Sequence, residues 1–289
     1  MATVSVEQVV TESFAYVRRG WRAAPGAMGA AVIVAAAGQA FGQPGPEMSL
    51  WLFAQVAAAT LATGALYRSI LQQAHPGDPR LRLGPAGLQW GKAEWWVLAA
   101  NLAVGFLMGL VACAFALVWG IGLNALSASH EIDPSLLLHA SAGDPAAFSR
   151  IMAGPGGILT LAVFLPGVAL IIYLWARLIL APILAVDTGR LDLGRAWKLT
   201  RGASLALVVA LIIIFLGQLL AVLSGGLLGA LAASGGADLA GAGLAGASAG
   251  AAIATALSLP MTAGAAACVY RRDKTYSGTY SGPWAANEF

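Results

Sequence analysis

Six stretches of the chain run for 19 residues or more with at most one charged side chain each: residues 23–41, 48–68, 95–121, 157–181, 203–224 and 239–270. Crossing about 30 Å of hydrocarbon takes roughly 20 apolar residues in a helix, and a peptide group left bare there costs several kcal/mol. With 59% of residues hydrophobic and 10% charged, the chain has too little polar surface for water to be its main solvent. The expected fold is all-α: a polytopic membrane protein with six transmembrane helices over residues 23–272. The first run is rich in Ala and Gly, but Pro25 suits a first helical turn. Pro260 marks a place where the last and longest run can bend.

The cations fix the threading. With the N-terminus in the cytoplasm, the inner segments hold Arg18, Arg19, Arg22, Arg68, Arg80, Arg82, Lys92, Arg177, Arg190, Arg195, Lys198, Arg201, Arg271, Arg272 and Lys274, fifteen of the sixteen. Arg150 alone falls outside, with five of the thirteen acids, Glu47, Glu131, Asp133, Asp144 and Asp238, so the inner face carries +7 and the outer −4. Lys and Arg collect on the cytoplasmic side of bilayers. The chain is therefore expected to be a multi-pass protein of the bacterial inner membrane with cytoplasmic N- and C-termini. Its partners are the lipid bilayer and anionic phospholipid headgroups, each cation near the surface contributing about 1 kcal/mol. Trp51 and Trp119 at outer ends, and Trp21, Trp90, Trp95, Trp96 and Trp197 at inner ends, match an aromatic belt.

Two inner segments carry helical order of their own. In residues 1–22, Val6, Val9, Val10, Phe14, Val17 and Trp21 share one side and Glu12, Arg18, Arg19 and Arg22 the other. Ser5 and Gln8 have capping-box spacing. This predicts a cytoplasmic amphipathic helix lying in the interface, touching it through Phe14, Arg18, Arg19 and Trp21. Two acids precede its arginines, which is not the pattern of a signal peptide. In "GRLDLGRAWKLTRGAS", residues 189–204, Leu193, Ala196, Trp197 and Thr200 fall on one side and Arg195, Lys198 and Arg201 on the other. Trp197 is again the interfacial contact.

The second and third inner segments also resemble each other. Each leaves a spanning run at an arginine, Arg68 or Arg177. Each passes through Leu-x-Leu-Gly, at 81–84 or 191–194, and then a Trp and a Lys, before a new run begins about 110 residues from its counterpart. Both units run outside to inside and back, so the expectation is a parallel helix-hairpin repeat, with a third copy conceivable from the last helix and the N-terminal segment.

The run "ARLILAPILAVDTGRLDLGRAWKLTRGASLALVVALIIIFLG" resembles the pattern shared by bacterial six-helix membrane proteins related to the membrane domain of glycerophosphodiester phosphodiesterases. There an Arg-Leu helix end leads into an acidic or Gly turn, an amphipathic stretch with Trp and Leu-Thr-x-Gly, and a spanning helix. "SFAYVRRGWRA", residues 13–23, is similar to the family's opening segment. The resemblance implies a multi-spanning inner-membrane protein and brings no activity with it. A phosphodiesterase barrel with histidines and metal-binding carboxylates has no counterpart here, where His75, His130 and His139 are scattered.

Arg177 lies about 20 residues into its run, and an ionisable group at membrane depth points to function, although a long cation near a helix end can also snorkel to the headgroups. Arg68 mirrors it. The candidate headgroup- or substrate-binding residues are Arg68, Arg177, Arg195, Lys198 and Arg201. Glu94 and Asp187 sit at inner edges, and Gln55, Asn101 and Gln218 are expected to bond between helices. Cys113 and Cys268 occur singly, and the spacing of His130, Glu131, Asp133 and His139 fits no metal pattern. No catalytic residue, metal site, cofactor or nucleic-acid partner is expected. "GFLMG", "GGLLG" and "GASAG" place glycines four apart (Gly105 and Gly109, Gly225 and Gly229, Gly246 and Gly250), a spacing for close helix packing within the chain or in a homo-oligomer. Asp133-Pro134 and Asp144-Pro145 predict two short helices in the outer loop 124–156. Residues 273–289 read as a flexible cytoplasmic tail.

These features point to a non-enzymatic membrane protein that organises or senses the membrane or a partner through interfacial helices. The alternative is a small-molecule or lipid transporter with a polar path near Arg177.

Overall fold

A computed structural model describes residues 4–41, 46–142, 144–235 and 238–276; the expected tail beyond residue 276 lies outside the described residues. Every regular element among them is helical: α1 (Val6–Ala23), α2 (Pro25–Phe41), α3 (Pro46–Ala74), α4 (Lys92–Ala128), α5 (Pro134–Ser141), α6 (Pro145–Ala153), α7 (Pro155–Leu178), α8 (Ala181–Thr188), α9 (Leu193–Leu199), α10 (Ser204–Ser234) and α11 (Leu239–Tyr276). Short 3-10 turns at Pro79–Leu81 and Pro85–Gly87 connect α3 to α4. Five helices, α3, α4, α7, α10 and α11, are long and apolar enough to cross a membrane. The first of the six runs forms α2, which at 17 residues is shorter than the others. The chain is thus an all-α polytopic membrane protein, with five full-length spans and one short apolar helix.

The chain divides into two compact units, residues 1–102 with 176–289, and residues 103–175. In the first, α10 and α11 run side by side along "GGLLG" and "GASAG". A methyl at Gly225 would overlap the Gly246 carbonyl and one at Gly246 the Gly225 carbonyl, so bare backbone lets these helices touch. Two of the three glycine motifs are therefore spent within the chain. In the second unit, Gly105 and Gly109 of "GFLMG" face open space.

α1 belongs to the first unit and packs along α11 and against α3. Ser5 and Gln8 close its N-terminus as a capping box. Its inward strip is Val9, Ser13, Tyr16 and Gly20, which shares only Val9 with the apolar stripe expected at the interface, and Phe14 is 54% exposed. The reason is steric. Gly264 of α11 meets α1 at Ser13 and Tyr16, and Gly20 meets Leu66 and Pro260, so small residues set the contact line and the bulkier Phe14 stays outside. Pro260 has no N–H to give the Ala256 carbonyl one turn earlier, and the Trp21 indole N–H donates to that oxygen at 3.1 Å.

In the second unit, Asp133 and Asp144 cap α5 and α6, each accepting from the backbone N–H two residues on at 2.9 Å. Leu123, Ile132 and Ile151 form the small core beneath these helices, with Trp119 beside it donating to Thr160 Oγ1 at 2.9 Å.

The two connections proposed as repeats differ in form. Pro79, Pro85 and the glycines between α3 and α4 allow only 3-10 turns, whereas the α7–α10 connection folds into α8 and α9. There Gly189, at φ 65°, ends α8, and Asp192 starts α9 by accepting the Arg195 N–H at 2.8 Å.

Candidate functional site

The cationic residues of the first unit gather where α3, α7 and α11 end and α4 and α10 begin, a basic end with two buried arginines. Arg68, one and a half turns before the end of α3, is 4% exposed and forms an ion pair with Glu94, itself 1% exposed. Glu94 is in the first turn of α4, where a carboxylate suits the helix dipole, and it also accepts the Gly91 N–H at 2.8 Å. Gly64, one turn before Arg68, makes room: a methyl there would stand 2.9 Å from Glu94 Oε1. Arg68 was expected to face headgroups, but this carboxylate neutralises it inside the protein.

Arg177, in the last turn of α7, is equally buried at 4% exposure. Its guanidinium carbon lies 4.4 Å from the centre of the Trp197 ring, a cation–π contact from α9. Its carbonyl accepts from Thr200 Oγ1 at 2.9 Å, which ties the end of α9 to the end of α7. Its Nε has no hydrogen-bond partner, and no carboxylate lies within ion-pair distance among the described residues. The first turn of α10, Ser204-Leu205-Ala206-Leu207, supplies no counterpart to Glu94.

Around Arg177 the surface is mixed. On α9 and the turn that follows it, Ala196 and Thr200 point inward, Arg195 is half-buried, Lys198 and Arg201 are exposed, and Trp197 is 37% exposed. The exposed tryptophans Trp90, just before α4, and Trp95, in its first turn, pack edge to face. On α1, an open groove runs along Val10, Phe14 and Ala15 with Arg18, Arg19 and Arg22 beside it. Arg19 donates to Glu12 at 3.0 Å, and Arg271 of α11 donates to the same oxygen at 2.8 Å. Trp21 is half-buried against α11, so of the α1 residues read as interfacial, Phe14 and Arg18 stand clear of the bundle.

Two further ties hold this end together. The Tyr16 hydroxyl lies 2.7 Å from Ser69 Oγ and 3.2 Å from the Leu66 carbonyl, and burial pushes its pKa up to about 12. His75, just past α3, stands 3.6 Å from Asp187 of α8.

Glu94 was missed as a partner because 26 residues separate it from Arg68; its place in the first turn of a helix, opposite a cation ending the previous one, was the available signal. Asn101 is exposed, and among the described residues none of Gln55, Asn101 and Gln218 makes the hydrogen bond expected between helices. No group of three or more His, Cys, Asp or Glu residues suited to a metal occurs among the described residues, where Cys113 is exposed and Cys268 half-buried. Comparison with protein-family models, with curated proteins and with solved structures gives no match.

Proposed function

We propose that the chain is a non-enzymatic protein of the bacterial inner membrane whose basic end, facing the cytoplasm with both termini, binds anionic phospholipid headgroups and thereby organises or senses the inner leaflet. The observation that carries this reading is Arg177, a buried cation that stacks on Trp197 and lacks a carboxylate. A buried charge without a counter-ion is costly, and at a membrane boundary the abundant anion is a lipid phosphate, which guanidinium nitrogens bind well. The surroundings fit such a ligand: Lys198 and Arg201 add positive charge, and exposed Trp197, Trp90, Trp95 and Phe14 suit the headgroup–acyl boundary.

The test is reconstitution in phosphatidylcholine nanodiscs with a rising fraction of phosphatidylglycerol, followed by thermal unfolding. Wild type gains stability as the anionic lipid rises. Arg177→Gln needs about tenfold more anionic lipid for the same gain, the loss of one charge-assisted contact of roughly 1.5 kcal/mol. A melting temperature independent of lipid charge in both proteins contradicts the proposal.

A further inference from the structure

A second feature of the first unit lies apart from the basic end. α2, α3 and α11 border an open cleft of 340 Å³, within the range of small-molecule sites, about 300–1,000 Å³. One face of each helix lines it: Ala31, Ala35 and Gln39 of α2, Gln55 and Ala59 of α3, and positions 251–259 of α11. The alanines make the space, and the polar groups are Gln39, Gln55, Thr255 and Ser258. At 1.5 Å per helical residue, Gln55 stands about 20 Å from Arg68 and Thr255 about 24 Å from Arg271. Gln55 and Thr255 therefore fall within a hydrocarbon layer about 30 Å thick, while Gln39, in the last turn of α2, stands nearer the edge remote from the basic end.

Ser258 is 8% exposed, and none of the four polar side chains forms a hydrogen bond among the described residues. Gln55 lies over the bare backbone of Gly38, where any side chain would collide with its amide, so it is held toward the cleft. Hydrogen-bonding groups at this depth need partners, because lipid offers none. The lining carries no charge, so an ion would enter uncompensated. Two amides and two hydroxyls donate and accept together, while the alanine floor suits C–H surface.

We propose that this cleft is a binding site for an uncharged polyhydroxylated group, either a free polyol or the sugar headgroup of a neutral glycolipid. This inference is independent of headgroup binding at the basic end.

The test uses the full chain in phosphatidylcholine–phosphatidylglycerol nanodiscs. One arm adds myo-inositol or glucose to the solution, the other replaces part of the phosphatidylcholine with monoglucosyl diacylglycerol, and sodium sulfate and choline chloride are the charged controls. A rise in melting temperature in either sugar arm is expected, and the arm that responds identifies the source. Gln55→Leu and the space-filling Ala35→Leu abolish the rise or weaken the apparent affinity about tenfold or more. As a second readout, Ala254→Cys in a Cys113→Ala, Cys268→Ala background reacts with a thiol reagent and is protected by the active probe. Stabilisation by the charged controls alone, no response in either arm, the same response in Ala35→Leu as in wild type, or labelling of Ala254→Cys that the probes leave unchanged overturns the proposal.

Discussion

Arg68 and Arg177 occupy matching places, each in the closing turns of a spanning helix and each 4% exposed, yet they are neutralised in different ways. Arg68 has Glu94 from the next helix, a carboxylate held by a backbone N–H and admitted by a glycine. Arg177 has the face of Trp197 and no acid. A charge closed off inside the protein contributes to folding and cannot respond to its surroundings. A charge left electrically open is stabilised by whatever anion the surroundings supply. The same residue type at equivalent positions thus has an acidic partner in one connection and an aromatic one in the other.

The largest effect that could break this contrast is at Glu94. Glu94→Gln strands Arg68 as a buried unpaired cation and lowers unfolding stability by about 3–5 kcal/mol, whereas Arg177→Gln in lipid-free detergent changes it by less than about 1 kcal/mol. Equal losses would mean that Arg177 also has an internal counter-charge. Chemical unfolding followed by tryptophan fluorescence reads both. Gly64→Ala comes next. Its methyl presses on Glu94 Oε1 and costs about 1–3 kcal/mol, and adding Glu94→Gln should make the two losses less than additive.

Trp197→Leu keeps an apolar side chain but removes the ring face from Arg177. A loss of about 1–2 kcal/mol is expected in detergent, smaller in phosphatidylglycerol, where a phosphate takes over part of the charge. The smallest effect is at Tyr16. Tyr16→Phe costs about 1 kcal/mol for the hydrogen bonds to Ser69 and Leu66. Burial pushes its hydroxyl pKa up to about 12 from an ordinary 10.0. The folded state therefore favours the protonated form, and that contribution is complete below pH 10 and lost as pH rises through 12. The wild-type advantage over Tyr16→Phe should shrink across that window; an advantage that does not change with pH would show the hydroxyl to be exposed, and one that grows would show the phenolate to be stabilised.

The parts of the fold legible in the sequence are those decided locally. The five long spans follow from apolar length, and the Ser5–Gln8 box and the Asp-Pro starts of α5 and α6 from capping chemistry within three residues. The contact of "GGLLG" with "GASAG" was legible as a pair of motifs, though their being partners was not. What escaped was decided by distant neighbours. The inward face of α1 depends on Gly264, more than 240 residues away, and hydropathy gives Ser13 and Gly20 no weight against Phe14. Arg68 and Arg177 look alike in sequence because the acid that separates them belongs to another helix. The polar cleft was invisible for the same reason, since its three faces come from α2, α3 and α11.

The most direct measurement counts phosphatidylglycerol molecules retained per protein after purification in mild detergent, by native mass spectrometry. It compares wild type, Arg177→Gln and the double variant Arg68→Gln, Glu94→Gln. If Arg177 is the open charge, Arg177→Gln loses a tightly held anionic lipid that the wild type and the double variant both keep. Retention of that lipid by Arg177→Gln, or its loss from the double variant alone, would contradict the account.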